Sequence, residues 1–246
     1  RSGRPDLMVS VSPGGGIDRS RLDIYDRADM VRVTPDIWDD AISIDRGFQA
    51  MSHWQGYTGK CWIDLDMIPF GALMQMTPCA ADESDANAEA YAGNGGARLC
   101  RLTAAQKRTF MIQRAVLPSP LMVGGDPRQY EPLEHALLTD PQILACNQNG
   151  NMSRALQIPG PFEVYHATDR QQPQAGWLGV FNRDTKSGCI SLFDIGLSKK
   201  LEHLQLSPAA STAELTAGEG DLGPILALPA GDAALIRYEH DSSAIT

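Results

Sequence analysis

The sequence predicts an α/β fold that passes into an all-β one. Over residues 1–151, short apolar runs alternate with helical patterns, and each run ends in Pro, Gly or a carboxylate. After about Met152 the helical period disappears. Strand-like runs then recur at roughly the 8–12 residue spacing of an antiparallel sandwich.

Taken in order, Leu7–Ser12 reads as a strand, stopped by Pro13-Gly14-Gly15-Gly16. Asp18 is placed to cap a helix reaching Ala28. Met30–Thr34 is a second strand, ended by Pro35. Asp36–Met51 reads as a helix, with Ile37, Ala41, Ile44, Phe48 and Met51 on one stripe. Cys61–Asp64 is a third strand, and a long loop follows to about Leu102. Thr103 caps a helix from Ala104 to Leu117, closed by Pro118. Leu121–Gly125 is a fourth strand, Pro132–Leu138 a last helix, and Ile143-Leu144 part of a closing segment. Four strand-then-helix units imply a parallel sheet with helices outside it. Four units are half of a (β/α)₈ TIM barrel. Residues 1–151 are therefore expected to form the second half of such a barrel and 152–246 an antiparallel β-sandwich. The sandwich strands fall at Phe162–His166, Gly176–Asn182, Gly188–Phe193, His203–Leu206, Ser211–Leu215, Pro224–Leu228 and Ala234–Tyr238.

Composition narrows the partners. The net charge of −9, with no Lys/Arg cluster, argues against nucleic acid, which needs a basic face. No apolar run approaches the roughly 20 residues of a membrane span, so no membrane partner is expected. The five Cys form no CxxC pair and the five His lack paired spacing, so no metal is expected. The Pro13–Gly16 turn lacks the Lys-Ser/Thr ending of a phosphate-binding loop, and no cofactor is expected either. Cys79 and Cys100 bracket a polar loop; a disulfide and two reduced thiols are both open readings.

In a β/α barrel the chemistry lies where strands end, on the carboxyl face. Those places here are Ser12–Gly14, Arg32–Asp36, Asp64–Met67 and Gly124–Arg128. Three of the four supply carboxylates: Asp36, Asp64 or Asp66, and Asp126. A carboxyl pair around an oxocarbenium-like transition state is what glycoside hydrolysis needs.

The residues in these places carry a resemblance. Arg32-Val33-Thr34-Pro35-Asp36 resembles the arginine-x-x-x-aspartate segment of α-galactosidases and α-N-acetylgalactosaminidases, family 27 of the glycoside hydrolases. Trp62-Ile63-Asp64-Leu65-Asp66-Met67 resembles that family's Trp-Asn-Asp-Pro-Asp-Met motif. Ser119–Asp126 and Leu137–Gln148 are similar to its last barrel strand and the Asn-Gln segment after it. The resemblance spans about residues 5 to 150, with the four pieces in order. It implies a retaining glycosidase acting on terminal α-galactosyl-type residues. Asp36 matches the acid/base, Arg32 and Asp66 match groups that contact the sugar, and Met67 matches a pocket wall. Ser12 falls near the loop that reads the sugar's 2-substituent, and Trp62 is a candidate stacking face. Asp36 also has a plain alternative, as the cap of the helix after Pro35.

Two departures stand out. Val11-Ser12-Pro13-Gly14 replaces the family's Cys-Glu-Trp or Cys-Ser-Trp stretch, and Ile63-Asp64-Leu65-Asp66 replaces its Asn-Asp-Pro-Asp. The first leaves the preference at the sugar's 2-position open, and the second implies a distant branch with a different subsite; α-N-acetylgalactosamine and β-L-arabinopyranose are the alternative sugars. In the family the nucleophile lies on the strand before the one at Leu7. A separate or preceding N-terminal half of the barrel is therefore the expected partner, beside the carbohydrate substrate and a possible second copy. The resemblance points to an extracellular or periplasmic protein. A catalytically silent subunit or a sugar-binding fragment is the competing reading.

Overall fold

The computed structural model describes residues 7–74, 96–158, 160–193, 195, 202–210, 212–217 and 223–239. Cys79 lies outside these residues, as does most of the long loop after the third strand. Strands β1 (Ser10–Val11), β2 (Met30–Arg32) and β3 (Trp62–Asp64) form a parallel sheet in that order. Val11 pairs with Val31 and Val31 with Ile63, while Arg32 pairs with Asp64. Side chains alternate across a strand, so Val31 and Ile63 face the core while Arg32 and Asp64 share the opposite face. That alternation positions the site.

The strands are shorter than expected. The run Leu7–Ser12 narrows to two residues because Val9 N donates to Asp29 Oδ2, a side chain standing in for a ladder partner. Of the expected strand Leu121–Gly125, one parallel bridge forms, between Val123 and Ile68. There Ile68 N donates to Met122 O and Gly124 N to Ile68 O, and Gly124 and Gly125 end the run. The sheet accordingly is not a closed barrel; the chain is mixed α/β with separate sheets.

Helix boundaries move for similar reasons. Beyond a 3₁₀ turn at Arg19–Arg21, α1 (Leu22–Tyr25) is one turn long, not the helix to Ala28 that Asp18 suggested. Asp26 is drawn out of the helix line by Tyr57, whose hydroxyl donates to it at 2.7 Å. Helix α2 (Ala41–Trp54) starts five residues after Asp36 and is capped by Asp40, whose carboxylate accepts from Ser43 N at 2.7 Å. Asp36 is therefore no helix cap. The hairpin β4 (Ala72–Leu73) and β5 (Arg98–Leu99) flanks the long loop. Helix α3 (Ala104–Val116) opens on the expected cap: Thr103 Oγ1 accepts from Gln106 N, and Gln106 Oε1 accepts from Thr103 N. Instead of one last helix there are two, α4 (Pro132–Thr139) and α5 (Pro141–Asn149). Asp140 accepts from Gln142 N and Ile143 N to start α5, and Gly150 at φ 69° ends it.

The remaining strands are β6 (Arg154–Leu156), β7 (Phe162–Thr168), β8 (Ala175–Asn182), β9 (Gly188–Ser191), β10 (Glu202–Leu206), β11 (Glu214–Thr216), β12 (Ile225–Leu228) and β13 (Ala233–Glu239). They make two antiparallel sheets, ordered β10-β13-β8-β7-β6 and β11-β12-β9. Every residue of β8 is buried. Leu178 and Val180 pack with Leu226, Leu228 and Ile236 in one core. Trp177 and Phe181 point the other way and join Phe48, Ile112 and Val116 in a second core shared with the helices. Between them Gly179 lets α3 approach: a Cβ there would stand 2.7 Å from Val116 Cγ1.

A buried ion pair ties α3 to the turn before β13. Arg108 Nε and Nη2 donate to Asp232 at 2.8 and 2.6 Å, and Thr212 Oγ1 and Ala233 N donate to the same carboxylate. Asp232→Ala would strand a buried guanidinium, so urea unfolding of the variant is expected to show a loss of about 3–5 kcal/mol.

Candidate active site

Arg32 is the last residue of β2, and its side chain leaves the face it shares with Asp64. The chain then passes Pro35 and reaches Asp36 in an extended loop. A single atom, Arg32 Nη1, donates to Asp36 Oδ1 at 2.8 Å and to Asp66 Oδ2 at 3.3 Å. Asp66 Oδ2 also accepts from Ile37 N at 2.9 Å. The loops after β2 and β3 are thus joined through one guanidinium and one carboxylate. The Asp36 side chain is 71% exposed, against 19% for Asp66 and 20% for Arg32. Asp36 is accordingly the carboxylate able to reach an outside atom, while Asp66 is anchored.

Asp66 adopts a left-handed backbone, φ 69°, which costs a non-glycine residue roughly 1 kcal/mol or more. Its surroundings impose that shape. Ser119 Oγ accepts from Leu65 N at 2.9 Å, Asp64 Oδ1 from Asp66 N at 2.8 Å, and Asp66 Oδ1 from Met67 N at 2.8 Å. Burial, foremost, raises the Asp64 carboxyl above its ordinary value; the nearby Asp66 adds to this and Arg114 and Arg32 oppose it. Met67 packs against Gly124, where a Cβ would stand 2.5 Å from the Met67 sulfur. A side chain at Gly124 would displace this wall.

The other expected residues sit apart from the cluster. Ser12 lies one residue past the end of β1, exposed, and is not hydrogen-bonded to Arg32, Asp36 or Asp66. Trp62 begins β3, at the opposite end from Asp64. Its half-exposed ring stands beside Gly150, away from the carboxylates. Asp126 accepts from Arg128 N, Nε and Nη2, which makes it a brace for its own turn. Cys100 is a free thiol, pushed up to about 11 by burial. A cleft of about 430 Å³ lies behind the Thr34-Pro35 segment, against α2, and is lined by Arg46, Gln49, His53 and Trp54 but neither Asp36 nor Asp66. Among the described residues no group of three or more His, Cys, Asp or Glu could hold a metal, and no helix is long and apolar enough to cross a membrane.

Two supports escaped the sequence reading. One is Arg114, which donates to Leu65 O at 2.8 Å. The other is Asp39, whose side chain is fully buried and accepts from Arg98 Nε and Nη2 and from Arg101 N and Nε. It clamps the β4–β5 hairpin onto the segment that carries Asp36. Burial alone would raise the Asp39 carboxyl, but the hydrogen bonds from Arg98 and Arg101 bring it below its ordinary value. A lowered carboxylate adds stability above the unfolded-state value, near 3.8, and loses it as pH falls toward the folded-state value. Asp39→Asn is expected to unfold at lower urea than wild type at pH 7, with the gap closing as pH drops below about 4.

No family model and no curated protein matches the chain. Among solved structures it is similar to a glycoside hydrolase family 27 β-L-arabinopyranosidase from Geobacillus stearothermophilus, at 25% identity and a TM-score of 0.75, covering 100% of this chain and 52% of that one. A structure of the same enzyme's variant with arabinose gives 26% identity and 0.74, covering 97% and 51%. A putative α-N-acetylgalactosaminidase from Bacillus halodurans shares the fold, at 21% identity and 0.63, covering 85% and 45%. The chain spans about half the length of the structures it matches. In fold and in sequence it resembles the C-terminal half of the α-galactosidase and α-N-acetylgalactosaminidase family, family 27 of the glycoside hydrolases.

Proposed function

We propose that this chain is the C-terminal half of a retaining glycoside hydrolase that removes terminal α-galactosyl-type residues. The observation that carries the reading is the Arg32 guanidinium held between Asp36 and Asp66 at the carboxyl ends of neighbouring parallel strands. Residues 1–151 supply the second half of a (β/α)₈ barrel, and an N-terminal half, from the same or another polypeptide, closes it and brings the nucleophile. A retaining mechanism sets that carboxyl about 5 Å from the acid/base. Asp36, the exposed member of the pair, gives its proton to the leaving oxygen and then takes one from water. Asp66, fixed by Arg32 and Ile37 N, accepts from sugar hydroxyls, and Arg32 donates to one. Met67 forms the wall beside them, with Ser12, at the carboxyl end of β1, as an outer contact. No metal or cofactor enters this mechanism.

The sugar has a second reading. Identity of 25–26% to a β-L-arabinopyranosidase favours β-L-arabinopyranosides, which differ from α-D-galactopyranosides in lacking the hydroxymethyl at C5. The enzyme carrying both barrel halves should be assayed on nitrophenyl α-D-galactopyranoside, β-L-arabinopyranoside and α-N-acetylgalactosaminide. Asp36→Asn is expected to lower kcat on the best of the three by about 10²–10⁴-fold, with partial recovery by added azide. Turnover by the variant near the wild-type rate sinks the assignment. A wild type that hydrolyses none of the three favours the silent subunit.

A further inference from the structure

Helix α3 buries an arginine where its neighbours are apolar. Arg114 is 1% exposed and lies on the face that carries Phe110, Met111 and Ala115, all in the shared core. A cation taken out of water at such a place costs several kcal/mol unless its environment compensates. Burial drives its pKa down to about 9, against the pull of Asp64 and Asp66. A leucine or methionine would pack there without that cost, so the guanidinium must do something that packing does not.

Its contacts converge on one turn. Arg114 Nη2 donates to Leu65 O at 2.8 Å, with longer bonds to Met67 O at 3.3 Å and Asp66 O at 3.4 Å. The three N–H groups of the same residues go to Ser119, Asp64 and Asp66 side chains. All six backbone polar groups of Leu65–Met67 are therefore held by side chains, with no secondary-structure ladder contributing. Three successive carbonyls facing one donor is what a left-handed residue in the middle permits, and Asp66 is that residue. The Phe110 ring under the guanidinium, 3.5 Å from its carbon, keeps it from sliding along the helix.

We infer that Arg114 is a positioning residue for sugar binding: it holds the Asp64–Met67 turn in the left-handed form that aims the Asp66 carboxylate at Arg32 and at the site. The inference rests on the reading of Asp66 as a sugar contact. Arg114 touches no substrate, so its loss acts through Asp66, on binding more than on the chemical step.

The test uses Arg114→Met and Arg114→Lys beside Asp66→Ala, in the enzyme carrying both barrel halves, with the nitrophenyl glycoside the wild type cleaves best. Asp66→Ala is expected to raise KM by 10-fold or more, and Arg114→Met by a comparable factor with kcat changed less than 3-fold. Arg114→Lys, which keeps the charge but cannot span three carbonyls, should fall between. A crystal structure of a folded Arg114 variant should show Asp66 at negative φ. Folded Arg114 variants that keep wild-type KM, or keep Asp66 left-handed, overturn the inference even when Asp66→Ala raises KM. If Asp66→Ala leaves KM unchanged, the sugar-contact reading falls instead and takes the inference with it. Failure of both Arg114 variants to fold also overturns it, because Arg114 then serves the core at large.

Discussion

One guanidinium sets the arrangement of the strand ends. Arg32 reaches Asp36 in its own loop and Asp66 in the next, and it can do so only because β2 and β3 run parallel with Arg32 level with Asp64. A slip of one residue in that register would turn Arg32 into the helix-facing core and send Val31 or Val33 to the site. Val31 and Ile63, buried at 0% and 1%, hold the register by their fit against the helices. Packing on one face thus decides the electrostatics of the other.

The support deepens away from the solvent. The Asp36 side chain is held by one donor, whereas Asp66 is held by Arg32, Ile37 N and Met67 N together. Beneath Asp66 lie Asp64, Ser119 and Arg114, all buried. On the flank, Asp39 binds two arginines of the hairpin side. The gradient runs from the exposed Asp36 carboxyl to a buried, hydrogen-bonded polar base.

Much of this was legible in the chain. Parallel β2 and β3 follow from apolar runs ended by Pro35 and by the carboxylates near Asp64. Thr103 announced the start of α3, and the change after Met152 announced the antiparallel sheets. What stayed hidden was tertiary. The start of α2 moved from Asp36 to Ala41 because Ile37 N and Trp38 N found partners in Asp66 and Ser43, which no local pattern reveals. The fourth strand dwindled to a bridge, and the Gly124-Gly125 pair that ends its run is present in the chain. Asp140-Pro141 with Gly150 likewise spelled out α5. Arg114 could have been suspected as a charge on an apolar stripe; the carbonyls it serves, some 47–49 residues upstream, could not.

The two-sided burial of β8 bears on how such a chain can be taken apart. Its odd-numbered side chains, Trp177 and Phe181, complete the covering of α2 and α3, while Leu178 and Val180 belong to the outer sheet pair. The C-terminal sheets therefore cannot be treated as a detachable appendage. A chimera joined near Met152 would inherit a helix layer fitted to someone else's strand, and its grafted partner would have to reproduce Gly179, the notch into which Val116 fits.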